Sequence, residues 1–332
     1  MSQTPIRFGI IGVGFIGRAH ARCCQDIDGI HLMAVADLDK ARSQAAAKDF
    51  GVEGYEDYKQ LLARQDIDAV VVCLPDHLHV KPCLAAAQAG KHVLLEKPLA
   101  STLADADQIL KAAEAHKCRL MVAHSLRFNL QYAAFRERVR RGDVGLPVHG
   151  WVRRNARIID GRRFQGKTSV ILFLAIHDID FLRWCVGSEV VRVFAMSNRQ
   201  VLKDVGVDDS VLSVLKFANG FVASMEHSWI NPEKFPAVVD AKAEIVGAKG
   251  VISVDAFSHG LTAWTDSGPN FSPPSEFLGE VRSSLYEELR HYANCLRCDK
   301  DFLVSNHDAY EDLRVALAIH ESVEKGTPVD LL

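Results

Sequence analysis

The sequence lacks any hydrophobic run long enough to cross a membrane. Its longest uninterrupted apolar stretches are Ala69–Leu74 and Val170–Ile176, whereas a membrane-spanning helix needs about 20 apolar residues. The N-terminal sequence MSQTPIRFGIIGVG also lacks the charged segment, the long apolar core and the small-residue cleavage site of a secretory signal. We therefore expect a cytoplasmic protein without a membrane partner.

The sequence also has little excess charge and little cysteine. Its 39 Lys and Arg residues against 42 Asp and Glu residues give a net charge of −3. This balance and the absence of a recognisable nucleic-acid module argue against nucleic-acid binding. The 8 cysteines in 332 residues are too few for a disulfide scaffold and fit a reducing compartment. Cys295 and Cys298 lack a second Cys or His pair at zinc-ligand spacing, so we predict no metal site.

Strand and helix signals alternate through the first third of the chain. Short apolar runs such as Ile6–Ile11 and Ala69–Leu74 are separated by helix-like segments, the pattern of a parallel, doubly wound α/β sheet. After about residue 150, period-2 strands such as Val238–Val246 favour an antiparallel sheet with one solvated face. We predict an α/β domain over residues 1–124 and an α+β domain with a large, mostly antiparallel open sheet over residues 125–332.

A glycine-rich loop follows the first strand directly and opens a helix. Gly12, Gly14 and Gly17 have the spacing that lets a backbone turn tightly, approach a pyrophosphate and pack a helix against a strand. Asp37 ends the next strand, where a carboxylate would bind ribose hydroxyls and repel a 2′-phosphate. The pattern favours NAD over NADP. A glycine turn without a ligand, and an Asp37 that is merely a solvated strand end, remain alternatives.

Two further loops follow predicted strands of the same sheet. In open α/β sheets ligands bind beyond the carboxyl ends of the strands, which places the segment Leu74–His79 and the tripeptide Glu96–Lys97–Pro98 beside the cofactor. Proline after Lys97 indicates a fixed turn that can be cis. A metal role for His77 and His79 has no supporting carboxylate and histidine. The predicted cofactor-binding residues are Gly12, Gly14, Phe15, Ile16, Gly17, Asp37, Leu74, Pro75, His79, Glu96 and Lys97.

With these motifs and several more, the chain resembles the glucose–fructose oxidoreductase / inositol dehydrogenase family (Gfo/Idh/MocA) along nearly its whole length. The motifs are the glycine loop 12–17, the segment 74–79, Glu96–Lys97–Pro98, Arg127–Phe128, His177–Asp180 with Leu182–Trp184, and Ser284–Tyr292. The resemblance implies an NAD-binding Rossmann domain followed by a substrate-binding and oligomerisation domain. It also implies a sugar or polyol substrate and a homodimer or homotetramer.

The resemblance assigns catalytic roles to Lys97 and His177. Oxidation of a CH–OH group requires a base for the hydroxyl proton, and a neutral imidazole suits that role near pH 7. An ammonium nearby would stabilise the developing alkoxide. Asp180 is expected either to orient His177 and contact substrate or to pair with Arg183.

The sequence departs from the family at one important position. Family members usually carry an Asp four residues before the histidine, and here that residue is Phe173. The glycine-rich approach to the helix is likewise replaced by Thr168–Val170. A phenyl ring can neither relay a proton nor accept a hydroxyl hydrogen bond, so another residue supplies the polar partner, the substrate differs, or activity is reduced.

Arginines are concentrated between residues 127 and 163. Those of the helix-like segment Asn129–Arg141 are expected to be solvated, whereas Arg127 and Arg153 are candidate substrate ligands. Guanidinium groups bind carboxylate, sulfate or phosphate in a two-point geometry, so an anionic sugar derivative is one hypothesis.

We therefore predict an NAD(P)-dependent oxidoreductase that oxidises a hydroxyl of a sugar, polyol or sugar derivative. One alternative is a glycoside hydrolase that uses transient NAD redox chemistry. The other, motivated by Phe173, is a non-catalytic NAD(H)-binding sensor or interaction protein.

Overall fold

The computed structural model describes residues 4–256, 261–265, 268–272, 276–277 and 280–331. The chain divides into two compact units, each built from two segments. The first unit contains residues 1–128 and 276–310, and the second contains residues 129–275 and 311–332. The domain boundary expected after residue 124 stays a prediction. None of the helices described is both long and apolar enough to cross a bilayer.

The strands, in chain order, are β1 (Ile6–Ile11), β2 (Ile30–Ala36), β3 (Glu53–Tyr55), β4 (Ala69–Val72), β5 (His92–Glu96), β6 (Leu120–Ala123), β7 (Pro147–Arg157), β8 (Val190–Asn198), β9 (Ser210–Phe217), β10 (Val222–Asn231), β11 (Val239–Gly247), β12 (Gly250–Asp255), β13 (Leu261–Thr265), β14 (Gly268–Ser272), β15 (Glu276–Phe277), β16 (Glu280–Val281) and β17 (Val329–Asp330). The α-helices are α1 (Phe15–Asp26), α2 (Lys40–Phe50), α3 (Tyr58–Leu62), α4 (Val80–Gln88), α5 (Leu103–Ala115), α6 (Leu130–Arg140), α7 (Ile158–Arg163), α8 (Ile176–Val186), α9 (Ser284–Cys298) and α10 (Asn306–Lys325).

The first unit is built on a six-stranded parallel sheet in the order β3-β2-β1-β4-β5-β6. Every residue of β4 is buried, which explains why this strand reads as an unbroken β-branched run rather than an alternating one. Helix α9 comes from the C-terminal part of the chain, and its Tyr292 packs 6.1 Å from Phe8 of β1, measured between ring centroids. The predicted doubly wound α/β fold is confirmed.

The second unit is built on a seven-stranded sheet in the order β12-β11-β7-β10-β9-β8-β17. Its neighbouring strands are antiparallel except for β7 and β10, which run parallel. Buried and exposed residues alternate along β9, as expected for a sheet with one covered face. Within the helical part of the unit, Tyr132 of α6 meets Phe181 of α8 edge to face at 4.9 Å. The predicted open, mostly antiparallel sheet is confirmed.

Candidate functional site

The loop between β1 and α1 is shaped to accept a ligand against its backbone. Gly12 has φ +89°, a conformation that favours glycine. A Cβ atom on Gly17 would lie 1.9 Å from the carbonyl oxygen of Gly12, so no larger residue fits there. A Cβ atom on Gly14, the N-cap of α1, would meet no protein atom within 4 Å. This open space at a helix N-terminus fits the pyrophosphate of a dinucleotide.

The first two residues of α1, Phe15 and Ile16, lie on the exposed side of this loop. Their relative exposures are 78% and 36%, although Phe and Ile are among the residue types most often buried. Both were predicted to contact the cofactor. Because they are exposed, these two side chains are available to cover a bound cofactor. Their contact with the cofactor stays a prediction.

Asp37 ties the glycine loop to the start of α2. Its carboxylate accepts hydrogen bonds from the backbone N–H of Val13 at 3.0 Å and of Asp39 at 2.9 Å. Arg42 of α2 approaches the same carboxylate, with Nη2 3.5 Å from Oδ1. The side chain is only 9% exposed. Asp37 is therefore a fixed carboxylate beside the glycine loop and not a freely solvated strand end.

The loop after β4 is supported from inside by His79. The imidazole is fully buried, and its Nε2 lies 2.9 Å from the carbonyl oxygen of Leu74. Burial lowers the pKa of His79, against the smaller opposing effects of that hydrogen bond and of nearby carboxylates. His79 thus holds Leu74 and Pro75 in place as a neutral group, and a direct contact with cofactor stays a prediction.

Glu96 is the last residue of β5, and the Lys97–Pro98 peptide bond that follows is cis. The Glu96 carboxylate lies 3.0 Å from Nε2 of His20 on α1. Burial opposes ionisation of Glu96, but the hydrogen bond with His20, which is the largest opposing effect, and the electrostatic effects of the nearby basic groups, among them the Lys97 ammonium, hold the carboxyl pKa below its usual range. Lys97 itself is half-buried.

These segments meet at one edge of the first unit's sheet. The strands are parallel, so the residues after β1, β2, β4 and β5 all lie at their carboxyl ends. That edge is where an open α/β sheet binds a nucleotide. The predicted cofactor-binding residues lie on or beside these segments, and their contacts with NAD stay a prediction. The loop formed by Gly12, Gly14 and Gly17, which we call the glycine cradle, has the shape and open space to hold NAD.

Arg127 has partners inside the first unit. Its guanidinium donates to the carbonyl oxygen of Leu303 at 2.8 Å and to the Asp308 carboxylate at 3.2 Å. The side chain is only 3% exposed, so these contacts compensate its charge. A role in substrate binding stays a prediction.

His177 lies in the second unit, in the first turn of α8. A π-helical turn over Ile171–Ala175 precedes it, and such turns occur frequently at functional sites because they shift the side chains that follow. Phe173 lies in this turn and packs against Phe164 at 4.7 Å and Trp229 at 6.1 Å between ring centroids. Phe173 therefore belongs to an aromatic cluster.

A buried ionic network flanks His177. Asp178 receives two hydrogen bonds from Arg154 at 2.9 and 2.8 Å, and His227 Nε2 lies 2.9 Å from the same carboxylate. Asp180, two residues further along α8, is fully buried. The network anchors α8 to strands β7 and β10.

Arg153, the other arginine proposed to bind substrate, lies on β7 and is part-buried. Its Nη2 is 2.5 Å from Oδ2 of Asp240 on β11. The Asp240 carboxylate partly compensates the positive charge of Arg153, which an anionic substrate would otherwise use. The role of Arg153 in substrate binding stays a prediction.

No pattern in the sequence indicates His20, His227 or the pairing of Arg154. His20 occupies a buried position of a helix, and His227 a buried position of a strand, where an isolated histidine carries no pattern. Their partners Glu96 and Asp178 are distant in sequence, so only the fold brings each pair together.

Two family models match the chain. Residues 6–124 match the model described as the oxidoreductase family, NAD-binding Rossmann fold, and residues 132–253 match the GFO/IDH/MocA C-terminal domain. Together they account for more than half of the chain.

Similar proteins match over nearly the full length. The chain is 31% identical to a myo-inositol 2-dehydrogenase of Thermotoga maritima, with 98% of each chain covered. It is 28% identical to the scyllo-inositol 2-dehydrogenase (NAD(+)) of Bacillus subtilis, covering 99% of this chain and 97% of the relative. The crystal structure of Lactobacillus casei scyllo-inositol dehydrogenase with bound NAD(H) and scyllo-inositol superposes with a TM-score of 0.84, at 23% identity and with 98% and 99% of the two chains covered. That structure supports the fold.

Proposed function

The chain belongs to the Gfo/Idh/MocA oxidoreductase family, and from this premise we propose that it is an NAD-dependent dehydrogenase that oxidises a secondary hydroxyl of an inositol or a related polyol or sugar. The observation that carries the proposal is the glycine cradle at the start of α1, where Gly17 admits no side chain and Gly14 faces open space. The relatives named as NAD(+)-dependent or inositol 2-dehydrogenases support the same chemistry. The fixed Asp37 carboxylate supports NAD over NADP because it would repel a 2′-phosphate.

In the proposed reaction a CH–OH group becomes a ketone, losing one hydride and one proton. NAD⁺, when bound, accepts the hydride. We assign removal of the hydroxyl proton to His177, since a neutral imidazole titrates near physiological pH. We assign stabilisation of the developing alkoxide to the Lys97 ammonium.

The packing of Phe173 leaves the substrate hydroxyl without a polar partner at this position. Its ring lies in the cluster with Phe164 and Trp229, and it supplies no hydrogen bond to a substrate hydroxyl. We propose that Lys97, which is half-buried, provides the polar contact that family members obtain from an Asp at position 173, since Asp180 is fully buried.

A neutral polyol fits the charges of the second unit better than an anionic one. The candidate arginine Arg153 is paired with Asp240, and its neighbour Arg154 is paired with Asp178. An anionic sugar would have to displace one of these carboxylates. We therefore propose a neutral substrate, with uronates and sugar phosphates as the comparison.

The function is tested with purified protein, NAD⁺ and a panel of inositols, neutral sugars, uronates and glycosides. We expect steady NADH formation with a neutral polyol, measured by absorbance together with product composition. Cleavage of a glycoside without net NADH would favour the hydrolase alternative. NAD⁺ binding without turnover on any substrate would favour the sensor. The similar proteins, which are named as inositol dehydrogenases, support neither the hydrolase nor the sensor.

The variant Lys97→Ala tests the proposed role of Lys97. Removing the ammonium should lower kcat by roughly 100-fold or more, whereas NAD⁺ affinity measured by calorimetry should stay nearly unchanged because the glycine cradle is intact. Unchanged turnover in this variant would contradict the role of Lys97.

We also propose that the protein is a homodimer or homotetramer assembled through the open face of the second unit's sheet. Four large apolar side chains are exposed there in two cross-strand pairs, Phe194 with Val214 and Met196 with Leu212. Such a patch favours burial against a second copy. Light scattering should report an oligomer that Met196→Glu weakens and that Leu130→Glu, on an exposed residue of α6, does not. A monomeric wild-type protein would contradict this.

A cytoplasmic location is part of the proposal. The eight cysteines are all free thiols, which suits a reducing compartment.

A further inference from the structure

His20 and Glu96 form a buried pair that the proposed reaction does not use. His20 is fully buried in α1, and the Glu96 side chain is 12% exposed at the end of β5. Nε2 of the imidazole lies 3.0 Å from Oε1 of the carboxylate. A buried contact between a histidine and a carboxylate has a defined direction, because an ionised carboxylate can only accept.

The second ring nitrogen fixes the state of the imidazole. Nδ1 of His20 is buried, and in the described part of the chain it has no hydrogen-bond partner. If both nitrogens carried protons, an unsatisfied N–H would be buried at Nδ1, whereas the neutral Nε2–H form leaves only a lone pair there. His20 is therefore a neutral donor directed at Glu96.

The groups acting on Glu96 come from several elements. His20 approaches from α1, His79 from the loop after β4, and Lys97 follows in sequence. The Cys73 thiol, at the end of β4, also faces the Glu96 charge. Burial opposes the ionised carboxyl, and the hydrogen bond with His20 is the largest effect that lowers its pKa. Loss of His20 would remove this effect, so the pKa of Glu96 should rise.

The pair also joins the two elements that the proposed site depends on. Helix α1 begins at the glycine cradle, and Gly17 lies one turn before His20. Strand β5 ends at Glu96, directly before the cis Lys97–Pro98 peptide. A bond between His20 and Glu96 thus connects the helix of the cradle to the turn that bears Lys97.

We propose that His20 is a positioning residue, which by donating Nε2–H to Glu96 keeps this carboxylate ionised and fixes the turn from which Lys97 extends. The inference rests on the proposed dehydrogenase function, because only that reaction gives Lys97 a chemical task. It adds a residue that acts on Lys97 through Glu96.

The test compares His20→Leu, which removes the donor, with His20→Gln, which keeps an N–H donor. In His20→Leu we expect kcat to fall about tenfold and the acid limb of its pH profile to move up by roughly one unit, since Glu96 loses the bond that favours its charged form. NAD⁺ affinity should change less than twofold. His20→Gln should recover most of kcat and the wild-type profile.

Two further measurements separate positioning from a purely structural role. In a Glu96→Gln background His20→Leu should cause no further loss of kcat, because the pathway through Glu96 is already broken. Nitrogen NMR of the His20 ring should show a protonated Nε2 and a bare Nδ1 in the wild-type protein, and this readout is independent of turnover.

An unchanged pH profile in His20→Leu, with an active wild-type enzyme, would overturn the role of His20 alone. The role of His20 would also be overturned if kcat fell equally in His20→Leu and His20→Gln and the only other change were a lower melting temperature. A wild-type protein that oxidises no polyol would overturn the proposed function and this role with it.

Discussion

Arg154 and Asp178 are joined by two hydrogen bonds, of 2.9 and 2.8 Å, in the interior of the second unit. Burial opposes ionisation of Asp178, yet the charge of Arg154 and the hydrogen bonds from His227 and Arg154 hold the pKa of the carboxyl below its usual range. Because Asp178 follows His177 in the first turn of α8, this pair fixes the turn that carries the proposed base.

We expect Arg154→Ala to destabilise the second unit strongly. Removing one member of a buried ion pair leaves the other charge uncompensated, which costs about 3–5 kcal/mol. Its neighbour on β7 supplies the control, since Arg153 is partly exposed and its pair with Asp240 should contribute about 1 kcal/mol or less. Denaturant unfolding of both variants measures the difference, and equal losses would contradict the distinction.

The glycine loop predicts a separation between folding and cofactor affinity. In Gly17→Ala the new Cβ would collide with the carbonyl oxygen of Gly12, so both stability and NAD⁺ binding should be lost. In Gly14→Ala the Cβ points into open space, so the melting temperature should be preserved. NAD⁺ affinity should still fall roughly tenfold, about 1.4 kcal/mol, because the methyl occupies space that the pyrophosphate needs. Thermal unfolding measures the melting temperature, and calorimetry measures NAD⁺ affinity. Wild-type NAD⁺ affinity in Gly14→Ala would contradict the prediction.

Asp37 and Arg42 should together control the choice between NAD⁺ and NADP⁺. Replacing the carboxylate in Asp37→Ser removes the repulsion of a 2′-phosphate. It also frees Nη2 of Arg42, which lies 3.5 Å from Asp37, to donate to that phosphate while Nε of Arg42 keeps its 3.1 Å contact with Asp39. The ratio of kcat/KM for NAD⁺ over NADP⁺ should fall at least tenfold, about 1.4 kcal/mol. Adding Arg42→Ala should cancel the gain with NADP⁺. A variant that keeps the wild-type ratio would show that the preference arises elsewhere.

His79 predicts how stability depends on pH. Its folded-state pKa is lowered by burial, so below the unfolded value of about 6.5 the unfolded chain binds a proton that the folded chain does not. The free energy of unfolding should therefore fall as pH drops below about 6.5. His79→Gln should reduce this slope by up to about 1.4 kcal/mol per pH unit. His116→Gln, at an exposed position, is the control. An identical slope in His79→Gln and wild type would contradict the role of His79.

The sequence was informative where the signal is local. The strand Ile6–Ile11, the glycine loop and Asp37 at the end of β2 are contiguous patterns set by backbone geometry and burial, and the structure has them at the expected edge of the sheet. The family resemblance was also confirmed, because its motifs recur in order along the chain.

The sequence was uninformative where the signal depends on tertiary contact. Phe173 could be recognised as a departure, but its packing with Phe164 and Trp229 joins residues up to 65 positions apart. Arg153 is predicted from the sequence as a candidate substrate ligand, and only the pairing of β7 with β11 reveals its contact with Asp240. His20 had no detectable partner until α1 and β5 were placed side by side.

The division of the first unit between two distant segments has a consequence for biosynthesis. Residues 276–310 complete that unit, and Tyr292 of α9 covers Phe8 of β1. About 180 residues must be translated between the end of the first segment at 128 and the end of the second at 310, which takes roughly 10–40 s at ribosomal rates. Throughout that interval the apolar flank of the nascent parallel sheet stays uncovered, because the segment that packs against it has not yet been synthesised. The ribosome-bound intermediate is therefore a natural client for chaperones.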